Sequence, residues 1–237
     1  MLPSQSGSFP LFRFRGIAVS VHWSWFFIAL YSIQTRHGLY HSPVWNVYEY
    51  LALFCIILMH EFGHSLACRQ TGGQADRIVL WPLGGVAFVN PPQRAGAQLW
   101  SIAAGPLVNV ALLPVFYGLY RLALANHWSS AAPDTVRFIQ EMGWINRSLL
   151  LFNILPIYPL DGGQILRSLL WFPFGRARSL LIATVLGFGG VGYLGWLAVQ
   201  QGSIWLGVLA YFAGTQCMAG FQYARALARA ERPSDSI

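Results

Sequence analysis

Six stretches of this chain read as long enough and apolar enough to cross a lipid bilayer, and this patterning limits the fold more than any other feature: residues 17–33, 50–68, 99–125, 144–160, 180–199 and 203–223. A crossing helix needs about 20 apolar residues. Inside lipid every backbone amide must be bonded within the protein, which leaves helices or closed barrels. Composition agrees, with 55% hydrophobic and 10% charged residues, far from the surface needs of a water-soluble domain. The expectation is an all-α polytopic membrane protein of about six transmembrane helices. It divides into a tail over 1–16, a membrane domain over 17–223 (core about 17–170, two further helices over 180–223) and a tail over 224–237. The first run follows Arg13 and Arg15, but no small-residue cleavage site follows it, so it reads as a retained helix and not a signal peptide.

The fourth run differs from the others. It carries Asn146, Arg147 and Ser148 at its start and Asn153, Pro156 and Pro159 later, so it should be a broken helix sheltered by its neighbours, and a polar span of that kind usually serves a site.

The formal charge is +7 and all fifteen basic residues are Arg. They lie at the ends of apolar runs, the pattern of membrane anchoring and not of a nucleic-acid surface. On a six-span reading Arg13, Arg15, Arg69, Arg77, Arg94, Arg167, Arg176, Arg178, Arg225, Arg229 and Arg232 fall on one side, and Arg36, Arg121, Arg137 and Arg147 on the other. The excess of positive charge predicts that both termini are cytoplasmic. Cys55, Cys68 and Cys217 lie in or beside apolar runs and make no disulfide framework; Cys68 reads as a packed thiol.

Within the second run, residues 60–64 read His-Glu-Phe-Gly-His. On an α-helix His60 and His64 stand one turn apart on one face, so two imidazoles can share one zinc ion with Glu61 beside it as general base. Catalytic zinc takes three protein ligands and keeps a fourth position for water. Of the eight acidic residues, Glu49, Asp76, Asp134 and Glu141 fall in expected loops or span ends and Glu231 and Asp235 in the tail; Glu61 and Asp161 alone have apolar surroundings. A buried carboxylate is costly unless paired or bound to metal, so Asp161 is the expected third ligand. His22, His37, His41 and His127 have no partner at ligand spacing and are assigned no metal. Residues 78–90, rich in β-formers around Pro82 and Gly84-Gly85, are too short to span and suit a re-entrant β hairpin near the zinc site. Its open edge could add an extended peptide as another strand.

Two motifs carry a family resemblance: Met59-His60-Glu61-Phe62-Gly63-His64-Ser65-Leu66, and Asn153-Ile154-Leu155-Pro156-Ile157-Tyr158-Pro159-Leu160-Asp161-Gly162-Gly163. Together they resemble the site-2 protease family of intramembrane zinc metalloproteases, in its compact bacterial form without PDZ or CBS domains. Gly16 to Trp23, Trp81 to Asn90 and Gly105-Pro106-Leu-Val-Asn109 add to the likeness, which covers about Gly16 to Leu170. The resemblance implies one Zn2+ per chain held by His60, His64 and Asp161, with Glu61 as catalytic base and Asn153 as a donor to the tetrahedral oxyanion. A zinc-activated water would lose its proton to Glu61, attack a peptide carbonyl, and leave Glu61 to protonate the departing amine. Gly84, Gly85, Val86, Phe88 and Asn90 of the hairpin, with Pro159, are the expected substrate-binding residues. Asn109 either glues helices or serves the site.

The expected function is hydrolysis of peptide bonds in or near transmembrane segments of membrane proteins. The expected setting is a bacterial inner membrane, multi-pass, with the bilayer and a membrane-spanning substrate as partners, a membrane-protein regulator possible and no nucleic acid. Two other classes compete: a zinc transporter, which needs sites open to both faces in turn, and a catalytically silent scaffold.

Overall fold

The structure, a computed structural model, describes residues 7–36, 38–81 and 84–230. His37, Pro82, Glu231, Arg232 and Asp235 lie outside the described residues. The chain divides into two compact units, Met1–Pro92 with Ala104–Leu150, and Gln93–Ala103 with Leu151–Ile237.

The first unit is built on a four-stranded sheet, β1 (Ser8–Phe14), β2 (Ile17–His22), β3 (Gln74–Trp81) and β4 (Gly84–Asn90), in that spatial order. β1 and β2 form a hairpin whose turn, Arg15-Gly16, has φ of 48° and 78°, the two positive values that match the twist of paired strands. β2 runs parallel to β3 and β3 antiparallel to β4. The parallel pair needs a crossover, and helices α1 (Trp25–Thr35) and α2 (Val44–Gln70) supply it. Ile17, Val19 and Val21 are buried on alternate positions of β2. Ile17 and Val21, with Ile78 and Leu80 of β3, pack against Trp25 and Ile57. This apolar layer fixes α2 over the sheet. Helix α3 (Ala95–Ala125) enters the unit at Ala104, and after the short α4 (Trp128–Ala131) helix α5 (Pro133–Asn153) returns; Ala123, Val136 and Ile139 pack between them. Asp134, in the first turn of α5, accepts the backbone N–H groups of His41 at 3.0 Å and Ser42 at 3.3 Å. Those bonds, the His41 amide foremost, hold its carboxyl below the usual range.

The second unit holds α6 (Asp161–Gln201), interrupted at Gly175 with φ 76° and ψ 176°, and α7 (Ile204–Ala230). Small residues line both buried faces at helical spacing: Ala183, Thr184 and Gly187 on α6, and Ala213, Cys217, Gly220 and Ala224 on α7. A methyl group at Gly220 would press on Thr184 Cγ2 and the Tyr158 ring. Stripes of small residues let apolar helices approach closely where lipid offers no hydrophobic drive between them.

Among the described residues four helices are long and apolar enough to cross a membrane: Val44–Gln70, Ala95–Ala125, Asp161–Gln201 and Ile204–Ala230. This departs from the six expected. The apolar run at 17–33 is a strand followed by an 11-residue helix, and α1 at about 1.5 Å per residue is some 16 Å long, half the hydrocarbon thickness. The run at 144–160 is helical only to Asn153; α5 also carries Asp134, Arg137, Glu141 and Arg147, and residues 154–160 are turns. Arg167, Arg176 and Arg178, between the expected spans 144–160 and 180–199, lie within α6. The hairpin foreseen at 78–90 is present as β3 and β4, and it belongs to a larger sheet. Glu49, expected at a span end, is buried in the second turn of α2, which starts six residues early at Val44; Tyr40 donates to it at 2.6 Å and Arg36 pairs with it.

Candidate metal centre

His60, Glu61 and His64 lie in the C-terminal half of α2 and are all buried. The one-turn spacing turns both imidazoles to one side, and their Nε2 atoms stand 3.1 Å apart with the rings nearly perpendicular at 85°. Two imidazole nitrogens at the usual bond length on a tetrahedral zinc are about 3.3 Å apart, so the pair is nearly preset for one ion. Gly105 of α3 faces this pair. A Cβ there would overlap His64 Cε1 and Nε2 and crowd His60 Nε2. Helices α2 and α3 approach closely at the same level, because a Cβ on Gly63 would lie 2.6 Å from the Ala104 carbonyl oxygen.

Behind His60 runs a buried polar chain. His60 Nδ1 lies 2.6 Å from Asn109 Oδ1; Asn109 Nδ2 donates to Asn146 Oδ1 at 2.8 Å, and Asn146 Nδ2 donates back to the Asn109 carbonyl at 2.9 Å. Both asparagines are fully buried. A buried amide is tolerated when its donors and acceptors are met, and here they meet one another and the histidine. Asn146 was read from sequence only as part of a polar span, and Asn109 as helix glue or site residue. The signal for the second was its position one turn beyond Gly105, on the same face of α3.

Glu61 points toward the sheet. Its Oε2 accepts the Ala87 N–H of β4 at 2.9 Å, so that amide turns away from β3, and among the described residues no other strand pairs with β4. Gly85 lets the carboxylate lie against the strand, since a Cβ there would overlap Glu61 Cγ and Cδ. Gly84, at φ 135°, holds a conformation few other residues accept. Val86, Phe88 and Asn90 follow along the same strand, and the Arg77 guanidinium lies over the Phe88 ring at 4.2 Å.

In the second unit Asn153 ends α5, and Asp161, half-buried, opens α6. The chain between them, residues 154–160, is not helical. A carboxylate in a first turn faces the positive end of the helix dipole. The loop before it is tied down: Gln164 Nε2 donates to the Pro159 carbonyl at 2.9 Å, and the Cys217 thiol donates to the Tyr158 carbonyl at 2.8 Å. Gly162 and Gly163 follow Asp161 in the first turn of α6. Neither has a positive φ; their role is close approach, since a Cβ at either would overlap the backbone of Ile154 to Tyr158. Of the cysteines, Cys68 is buried and its Sγ donates to the Gln74 carbonyl at 3.4 Å; Cys55 is exposed.

Two neutral imidazoles and a carboxylate are the donor set of hydrolytic zinc sites, and the space kept open by Gly105 suits an ion at the His60–His64 pair.

The sequence matches the family described as peptidase family M50 over residues 48–126 and 121–194. A Synechocystis protein whose name classes it with the zinc metalloproteases is 33% identical over 205 residues, covering 82% of this chain and 51% of that protein. A zinc metalloprotease of Methanocaldococcus jannaschii is 30% identical over 180 residues, covering 76% and 50%. Among solved structures, the site-2 protease from the same archaeon superposes with a TM-score of 0.64 at 25% identity, covering 90% of this chain and 95% of that one. The chain spans about half the length of the curated relatives it matches. With the motifs, the fold and these matches in agreement, the chain belongs to peptidase family M50, the site-2 protease family.

Proposed function

We propose that this chain is an intramembrane zinc endopeptidase that hydrolyses peptide bonds in or near transmembrane segments of membrane proteins. The observation that carries the reading is the convergence of His60 and His64 Nε2 at 3.1 Å, with Glu61 adjacent on the same buried helix segment. His60, His64 and Asp161 hold one zinc, which when bound polarises a carbonyl and lowers the pKa of water to roughly 7. Asp161 is included because the family match runs through both motifs and the carboxylate opens a transmembrane helix, where an acid is retained for function.

Glu61 acts as the general base and then as the acid toward the leaving amine. Its bond to the Ala87 amide holds the carboxylate against the strand. Asn153 donates to the developing oxyanion. A substrate helix must be unwound before its carbonyl can be attacked, and the unpaired edge of β4, already beside Glu61, can add it as a further strand; Gly84, Gly85, Val86, Phe88, Asn90 and Pro159 would line it. Residues 17–223 form the membrane domain, multi-pass in a bacterial inner membrane, with both termini cytoplasmic. A membrane-protein regulator would control access.

The test is reconstitution of the purified chain in liposomes with a membrane-spanning reporter helix. Cleavage is expected, a zinc chelator should abolish it, and stoichiometric zinc should restore it. A zinc transporter or silent scaffold would leave the reporter whole in every condition.

A further inference from the structure

We infer that Asn109 and Asn146 are positioning residues that fix the tautomer of His60, so that its Nε2 lone pair is offered to the metal; this rests on the zinc reading above. The one acceptor in this chain of bonds whose identity is beyond choice is the Asn109 backbone carbonyl. Asn146 reaches it at 2.9 Å, and only an amide nitrogen can donate there, so the Asn146 amide has one orientation and its Oδ1 faces Asn109. That oxygen accepts from the Asn109 side chain at 2.8 Å, which sets the second amide in turn and aims Asn109 Oδ1 at His60 Nδ1, 2.6 Å away. An oxygen with no proton requires a donor, so Nδ1 carries the hydrogen. A neutral imidazole has one N–H, and Nε2, on the side of His64, is left with its lone pair.

Burial makes the relay decisive. Asn109 and Asn146 are both 0% exposed, so turning either amide around would set donor against donor with no water to absorb the mismatch. A helix pair that needed only glue would be served by one asparagine bonded to a carbonyl. Here the chain of bonds continues to a histidine, at the ring nitrogen opposite the one that faces the second imidazole. Metal-bound histidines generally donate their other N–H to a carboxylate or carbonyl oxygen, and loss of that partner costs about 10–100-fold in metal affinity or activity.

The experiment uses Asn109→Leu, which removes the acceptor, Asn109→Asp, which keeps an oxygen facing Nδ1, and Asn146→Leu, which frees the Asn109 amide to rotate. Zinc dissociation constants are measured by chelator competition, and the His60 tautomer is read from 15N solid-state NMR of zinc-free, histidine-labelled protein in liposomes, with the resonance assigned by its loss in His60→Gln. Asn109→Leu is expected to weaken zinc roughly 10–100-fold and to redistribute the tautomers; Asn109→Asp should retain wild-type affinity and the Nδ1–H form, and Asn146→Leu should fall between. Wild-type affinity and tautomer in Asn109→Leu would overturn the inference, as would equal damage in Asn109→Asp and Asn109→Leu, which marks a packing role. If the wild-type chain binds no zinc the proposed function fails, while the tautomer measurement on metal-free protein still decides the relay.

Discussion

Replacing Glu61 by Gln is expected to lower hydrolysis of a membrane-spanning reporter by roughly 10²–10⁴-fold, the usual contribution of a positioned general base, while zinc content stays at that of the wild type. The side chains are nearly the same size, and Gln can still accept the Ala87 N–H through its amide oxygen, so the fit against Gly85 and β4 is kept. What is lost is the ability to take a proton. Initial rates in liposomes and metal analysis on the same preparation check both halves. Undiminished cleavage would remove Glu61 from the chemistry, and joint loss of zinc and activity would make it a structural residue.

The second large effect is expected at Gly105. Valine there would drive its side chain into the His64 ring and toward His60 Nε2, at the level where Gly63 and Ala104 bring α2 and α3 into close approach. Zinc affinity should fall by roughly 100-fold, at the upper end of losses from disturbed ligand support, and cleavage with it. Gly118 is the control on the same helix, since a Cβ there meets nothing within 4 Å; Gly118→Val should bind zinc as the wild type does. Chelator competition on the two variants side by side measures this, and equal affinities would show that the space in front of the histidines is not the metal's.

Much of this arrangement was legible in the sequence for definite physical reasons. The spacing of His60 and His64 on a helix leaves little freedom in where two imidazoles point, and β-formers flanking Gly84-Gly85 announced the hairpin. The long apolar runs of α3 and α7 were recognisable by length. The errors come from short apolar runs, which have no signature of their own. Residues 17–33 were counted as one span, although Ile17, Val19 and Val21 alternate with Ala18 and Ser20 as a half-buried strand does. Residues 161–179, with three arginines, were left between two spans, where α6 in fact runs on through a bend at Gly175. Asn146 could not be paired with Asn109 from sequence, because 37 residues separate them and only the packing of α5 on α3 brings the two amides together.

On the proposed function, side chains from two distant stretches hold one zinc. Zinc analysis with zinc-edge X-ray absorption on the purified chain and on Asp161→Ala addresses it most directly. One zinc per wild-type chain is expected, bound by imidazole nitrogens at about 2.0–2.1 Å and oxygens at about 2.0–2.2 Å, with loss of that zinc in Asp161→Ala. A wild-type chain free of zinc, or a zinc whose coordination is unchanged without Asp161, would contradict it.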